Sequence, residues 1–150
     1  MVGRKSLKTK TRTTKPRAVR VHGIDDARVA CEVARATSAA LVLWSPPYGA
    51  AQMGPLWFQQ MVSLIEEEFP DLSVEAVLDC GDAPGHALAA LRQGVALIAL
   101  TARPAIRGKI EAIARIGGAR MVRRPAHIFD LDAADADAEA LRSWLVDRTR

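Results

Sequence analysis

The sequence repeats one pattern: a short apolar run, a loop containing Gly, Pro or Asp, and then a segment with apolar residues at helical spacing. The apolar runs fall at residues 18–21, 40–44, 74–78, 95–100 and 120–122, so the repeat is about 25 residues long. Such alternation is typical of parallel strands joined by crossover helices. The pattern therefore predicts an α/β fold of five βα units on a parallel sheet.

Five βα units are compatible with two architectures. The first is an open three-layer sheet of flavodoxin type, and the second is a partial TIM-type barrel with five of the usual eight units. A partial barrel leaves strand edges exposed unless two chains pair. The second architecture therefore predicts a homo-oligomer, and the residues leave the choice open.

The ends of the helices are predicted from capping residues. Asp25 or Asp26 is expected to cap the first helix, and Asp82 to cap the helix that begins at Pro84. Gly94 is expected to end that second helix in the left-handed conformation, which glycine adopts without steric cost.

Charge is distributed unevenly along the chain. The first 20 residues carry eight basic side chains and no acidic one, while the remainder holds 13 basic and 17 acidic residues. Residues 1–17 are therefore expected to form a flexible basic arm, and residues 18–150 a single, mildly acidic domain. A nucleic-acid-binding face needs basic residues clustered on the folded body. Nucleic acid is therefore a candidate partner through the arm alone.

The sequence contains no candidate membrane segment. No stretch approaches the roughly 18 consecutive apolar residues of a membrane span, and no secretory signal pattern follows Met1. The two cysteines, Cys31 and Cys80, lack the short C-x-x-C spacing. These features favour a cytoplasmic protein.

Polar side chains cluster where the predicted strands end. In both architectures, ligands bind at the carboxyl ends of the strands. Asp79 is a candidate proton-transfer group there, and Cys80 is a candidate nucleophile or soft metal ligand, although a small buried thiol is the structural alternative. The other candidate ligand-binding residues are Ser45, Tyr48, Asp82, Thr101, Arg103 and Arg123. The candidate contacts for a phosphate or carboxylate are Arg103, Arg107, Arg123 and Arg124.

A metal site is a further hypothesis for this edge. His22 follows the first predicted strand and His127 follows the fifth, so both could meet Cys80 if these loops converge. Imidazole and thiolate groups are common zinc ligands. The predicted cofactor is accordingly a divalent metal such as zinc.

Motifs for two other classes of protein are absent. The sequence contains neither G-x-G-x-x-G nor G-x-x-x-x-G-K-[ST], which argues against a nucleotide-phosphate loop. It also lacks G-x-S-x-G, the nucleophile elbow of serine hydrolases.

The segment Leu78-Asp79-Cys80-Gly81-Asp82 precedes a predicted helix with Ala87-Leu88-Ala89-Ala90-Leu91 and then Gly94. It resembles the L-D-H-G-D segment of class II, metal-dependent fructose or tagatose bisphosphate aldolases. Residues 41–54 are similar to the second unit of that barrel, and the resemblance spans about residues 40–100.

The resemblance implies roles for two residues. Asp79 would match the proton-donating aspartate of the family, and Cys80 would replace a zinc-ligating histidine. The family takes two more histidines from later strands, whereas only His127 follows His86 in this sequence. The resemblance therefore implies a divergent or inactive relative of these aldolases.

The leading functional hypothesis is an α/β domain that binds a small phosphorylated or carboxylated molecule at the carboxyl edge of its sheet. One alternative is a noncatalytic scaffold or regulatory module that acts through self-association or its basic arm. Another is a lyase completed by a second chain. The sequence leaves open whether the chain is an enzyme.

Overall fold

The computed structural model describes residues 15–147, in which six strands alternate with helices. The elements are β1 (Arg17–Arg20), α1 (Ile24–Thr37), β2 (Leu41–Trp44), α2 (Gly49–Gln52), α3 (Pro55–Glu68), β3 (Glu75–Asp79), α4 (Pro84–Arg92), β4 (Leu97–Ala99), α5 (Pro104–Ile116), β5 (Arg120–Met121), β6 (Phe129–Asp130) and α6 (Ala138–Val146). The predicted α/β fold of five βα units is confirmed. The sixth strand, β6, was not predicted.

All six described strands are parallel and form one sheet in the order β5-β4-β3-β2-β1-β6. Strands β1 to β5 therefore lie side by side in chain order. Strand β6 pairs with β1 on the other side, where Arg20 lies opposite Asp130. Within residues 15–147 no pairing joins β5 to β6, so the sheet is open.

The helices pack against one face of the sheet. When consecutive parallel strands are neighbours and every crossover has the same hand, the helices fall on the same side. Buried residues of α1, α3, α4, α5 and α6 accordingly join a single core cluster with strand residues such as Val19, Leu43, Leu78 and Ile98. Helix α1 contributes mainly alanines, whose small side chains let it approach the sheet closely.

The opposite face of the sheet carries a second, smaller cluster. It contains Ala18, Trp44, Val77, Leu97 and Ala99, which alternate along the strands with residues of the helical face. Val122 and Ile128, at the two ends of the β5–β6 connection, pack against this cluster. The connection therefore covers the face that the helices leave free. The sheet is open, as in the first predicted architecture, while its strand order and one-sided helices are those of consecutive barrel units.

Three details at the ends of the elements correct or confirm the predictions. The residue before α4 is Ala83 rather than Asp82, and no side chain caps this helix. Asp25 and Asp26 lie inside the first turn of α1 rather than before it. Gly94 has φ +85°, so the predicted left-handed position after α4 is confirmed.

The start of β1 changes how the N-terminal charge is divided. Arg17 and Arg20 belong to this strand, so two of the basic residues counted with the first 20 positions are part of the sheet. The predicted arm falls mostly on residues 1–14, which lie outside the described residues. None of the helices between residues 15 and 147 combines the length and apolar character needed to cross a membrane.

Candidate anion-binding site at the carboxyl edge of the sheet

A cavity of about 540 Å³ lies at the carboxyl ends of β3, β4 and β5, and we call it the edge cavity. The side chains that give it polar character are Tyr48, Asp79, Asp82, Thr101, Arg107, Arg123 and Arg124. Five of the predicted site residues, Tyr48, Asp79, Asp82, Thr101 and Arg123, therefore come together here. Its volume is within the usual range for small-molecule sites.

Asp79 ends β3 and is held by a local network of hydrogen bonds. Its backbone N–H donates to the Ser45 hydroxyl oxygen over 2.9 Å, and its carboxylate accepts a hydrogen bond from the Gly81 N–H over 2.8 Å. Ser45 itself is buried and does not line the edge cavity. Ser45 was predicted to bind a ligand. In the structure its hydroxyl instead holds the end of β3 in place.

Arg20 lies behind Asp79 and is only 6% exposed. Its Nε donates to the Ser45 carbonyl oxygen over 3.2 Å, and its Nη2 lies 4.0 Å from the Asp79 carboxylate. Burial lowers the pKa of Arg20, and the charge of Arg124 lowers it further, against the opposite effects of Asp130 and Asp79. Arg20 thus offsets the charge of Asp79 from inside the fold.

Tyr48 forms one wall of the edge cavity through its contact with Gly81. Tyr48 adopts a left-handed backbone with φ +56° and is 48% exposed. A Cβ atom placed on Gly81 would lie 2.1 Å from Cδ1 of the Tyr48 ring, and Gly81 also has φ +60°. Only glycine fits at this position without moving the ring.

Three arginines reach the edge cavity from different directions. Arg107 extends from α5 and donates through Nη1 to the Leu100 carbonyl oxygen. Arg123 and Arg124 follow β5 and are exposed. Arg103, the fourth arginine predicted as an anion contact, is exposed just before α5 but does not line the cavity. Three of the four predicted arginines therefore reach the cavity.

Cys80 points away from the edge cavity. It is fully buried in the core cluster on the helical face, where its thiol lies 3.7 Å from the Leu78 carbonyl oxygen. Burial, with the nearby charge of Asp79, raises the pKa of Cys80 to about 12. The thiol is therefore protonated and enclosed at neutral pH, which does not support a nucleophilic or ligand role.

The three predicted metal ligands are not brought together. Among residues 15–147 there is no group of three or more His, Cys, Asp or Glu side chains that could hold a metal ion. His22 instead contacts Asp130, with 2.6 Å between Nε2 and Oδ1, and His127 is exposed on the β5–β6 connection. The His22–Asp130 contact ties the end of β1 to β6.

Asp130 is a polar residue that the sequence reasoning missed. Burial alone would raise its pKa, but hydrogen bonds from the Asp132 N–H and from His22, with the charge of Arg20, hold the pKa below its ordinary value. Strand β6 has only two residues, so no apolar run marked its end. Arg20 was missed because it was counted with the basic arm, although it directly precedes Val21 and His22 in a predicted strand.

Comparison with models of known protein families gives no match, and comparison with curated proteins gives none either.

Proposed function

We propose that the chain binds a small molecule with a phosphate or carboxylate group in the edge cavity. The observation that carries this proposal is the balance of charge around one enclosed space. Arg107, Arg123 and Arg124 line the cavity together with Asp79 and Asp82. Arg20 lies behind Asp79 and offsets its charge. The three arginines of the lining therefore face one further carboxylate, that of Asp82. Such a surface attracts an anion and disfavours a cation.

Arginine is well suited to this role. Its planar guanidinium donates parallel hydrogen bonds to two oxygens of a carboxylate or phosphate, and these charge-assisted bonds are stronger than neutral ones. Thr101 adds a hydroxyl donor, and its own backbone N–H is already bonded to the Gly81 carbonyl oxygen over 2.8 Å. This backbone bond fixes the two loops that carry the cavity.

An origin among class II aldolases remains a proposal about ancestry and does not imply activity. The position of Asp79 at a strand end, lining the edge cavity, is compatible with the proton-transfer role that the resemblance implies. The buried thiol of Cys80 gives no support to the metal-ligand role. A binding domain without aldolase chemistry accounts for both placements, and a lyase would need further ligands from a second chain.

Titration with inorganic phosphate tests the binding proposal. We expect saturable heat in calorimetry and chemical-shift changes at the Gly81 and Thr101 amides of the full chain. Arg123→Gln should weaken binding by roughly 10- to 150-fold, since hydrogen bonds to charged groups contribute roughly 1.5–3 kcal/mol. Acetate in place of phosphate would show whether the cavity prefers a carboxylate.

Arg103→Gln is the matched control, because this arginine is close in sequence, exposed and outside the cavity lining. We expect it to change the affinity less than twofold, about the size of a screened surface charge. Equal losses in the two variants would show only a general electrostatic attraction. Absence of saturable binding would remove the proposed function.

One observation favours self-association as a second candidate function. Ile113 and Ile116 of α5 are 46% and 89% exposed, and they border an apolar depression of about 500 Å³ with Leu88 and Leu91 of α4. Large apolar side chains grouped at one surface often mark a protein interface. Sedimentation at several concentrations should show an oligomer that Ile116→Lys disrupts; a monomer at every concentration would exclude this candidate.

A further inference from the structure

A second cavity, of about 650 Å³, lies beside β6 and α6, and we call it the α6 cavity. Its walls come from the end of β1, the β5–β6 connection, β6 and the loop after it, and α6. Of its lining residues, His127 and Arg124 were candidates from the sequence. It shares Arg124 with the edge cavity, and its Arg20 is the residue that offsets Asp79 there.

Two side-chain nitrogens are buried without a hydrogen-bond acceptor among residues 15–147: Arg20 Nη2 and Trp144 Nε1. Both residues line the α6 cavity. Folded proteins seldom leave a buried N–H group unpaired, and each exception calls for an explanation. The two nitrogens are themselves covered, so a ligand with acceptor oxygens in this cavity would pair with them once the lining opens around them.

The guanidinium of Arg20 is held loosely enough to change partners. Its hydrogen bond to the Ser45 carbonyl oxygen is 3.2 Å long, and its ion pair with Asp79 is 4.0 Å long. Arginine and a carboxylate at best approach to about 2.7–2.9 Å. A ligand carboxylate can therefore compete for this side chain.

The indole ring of Trp144 is, by contrast, fixed between two neighbours. The Arg17 guanidinium lies 4.7 Å from its ring centroid, and the Phe129 ring lies 6.2 Å from it at an angle of 40°. Arg17 also donates to the Trp144 carbonyl oxygen over 2.7 Å. The direction of the unpaired indole N–H is therefore set by packing.

The remaining lining selects the kind of anion. Phe129, the Trp144 ring and several alanines provide apolar surface, whereas Asp130 and Asp135 add negative charge. The lining sets two arginines against two carboxylates, so a phosphate dianion would meet more repulsion than a singly charged carboxylate. A single carboxylate on an apolar body meets two arginines, one indole N–H and an apolar wall.

We propose that the α6 cavity binds a small monocarboxylate with an apolar body. Its oxygens accept hydrogen bonds from the Arg20 guanidinium and from Trp144 Nε1, and its apolar part packs against Phe129 and Trp144. The site is distinct from the edge cavity and does not rest on the function proposed for that cavity.

Titration of the ¹⁵N-labelled full chain with 3-phenylpropanoate tests the proposal. The indole N–H signal of Trp144, identified by its loss in Trp144→Phe, should move downfield and saturate. The signal of Trp57, which lies on α3 outside this cavity, should stay in place. The alcohol 3-phenylpropanol has the same apolar body without the carboxylate, and it should leave the Trp144 signal unchanged.

Trp144→Phe keeps an aromatic ring and removes only the N–H donor. Binding followed through the Ala140 amide should weaken by about tenfold or more, the effect of one hydrogen bond to a charged group. Arg142→Gln, an exposed change on the same helix outside the lining, should leave the affinity unchanged. Stronger binding of L-phenylalanine than of 3-phenylpropanoate would identify an amino acid as the carboxylate and would support the proposal.

Three results would overturn the proposal: no saturable shift, an equal shift with the alcohol, or unchanged affinity in Trp144→Phe. The function proposed for the edge cavity fails separately, through the response of phosphate binding to Arg123→Gln. Arg123 does not line the α6 cavity, and Trp144 does not line the edge cavity.

Discussion

The two faces of the sheet are built in different ways. The helical face is covered by five longer helices whose buried residues form one apolar cluster. The opposite face is covered by the irregular β5–β6 connection, and its apolar cluster gives way to Arg20 and Asp79 at the carboxyl edge. The helices thus bury one face with a single large apolar cluster, while the edge cavity and the α6 cavity both lie beside the short connection on the other side.

Thiol reactivity should show how completely the helical face is closed, and this is the largest effect that we expect. Cys80 is enclosed on the helical side and its pKa is raised to about 12, so at pH 8 its thiolate fraction should be roughly a thousandfold below that of a free cysteine. We expect negligible labelling by a disulfide reagent in the native chain and full labelling in denaturant, with peptide mass mapping to separate Cys80 from Cys31. Rapid native labelling of Cys80 would contradict its placement.

Truncation of core side chains should lower the free energy of unfolding by different amounts on the two faces. Leu78→Ala on the fully buried helical side should cost about 3–5 kcal/mol, because rigid helices cannot collapse into the cavity. Leu97→Ala on the opposite face should cost about 2–3 kcal/mol, because an irregular connection can relax. Urea unfolding of both variants measures the difference. A larger loss of stability for Leu97→Ala than for Leu78→Ala would contradict the expected difference between the faces.

The helical face was the more predictable of the two. Short apolar runs predicted the first five strands to within a few positions, because a strand that is buried on both sides has a continuous apolar sequence. Residues 122–128, which lie over the opposite face, have no periodic apolar pattern. The sequence therefore did not predict that they pack there. Strand β6 was missed for the same reason, because two residues between loops show no alternation.

The candidate site was predicted in part. The positions of the strand ends explain which residues were placed correctly and which were not. The rule that strands end at a common edge correctly grouped Asp79 with Arg123. It could not show that Cys80, one residue later, turns to the other face, since that depends on where β3 ends. It named Arg103 and Arg107 together and could not show that Arg107 alone of these two lines the cavity.

Gly81→Ala should test the rigidity of the edge. The new Cβ would clash with Tyr48, and φ +60° disfavours any residue with a side chain, so we expect a loss of about 1–3 kcal/mol. The double variant with Tyr48→Ala should recover the part due to the clash. Gly85→Ala is the control, because its site in α4 has open space and alanine should stabilise the helix by about 0.5–1 kcal/mol. Equal losses at both glycines would rule out the contact.

Acid titration should reveal the tie between β1 and β6. The folded pKa of Asp130 is depressed, so its contribution is present above the unfolded pKa, about 3.9, and is lost as pH falls through the folded value. Asp130→Asn should destabilise the chain by about 0.5–1 kcal/mol at pH 7, a range that allows for solvent screening. The difference should disappear once the pH has fallen below the folded pKa of Asp130. A constant difference across this range would show that the charge of Asp130 is not responsible.

The smallest effect on stability is expected at Arg123. Its side chain is exposed on the β5–β6 connection, and surface substitutions of this kind usually change stability by less than about 0.5 kcal/mol. Thermal unfolding of Arg123→Gln without ligand should therefore match that of the parent chain, even where phosphate binding is lost. A large destabilisation would mean that the arginine supports the cover over the sheet, and loss of binding in this variant would then report a disturbed fold. A neutral result would separate binding from folding at the same edge where Asp79 and Arg20 are held by the sheet itself.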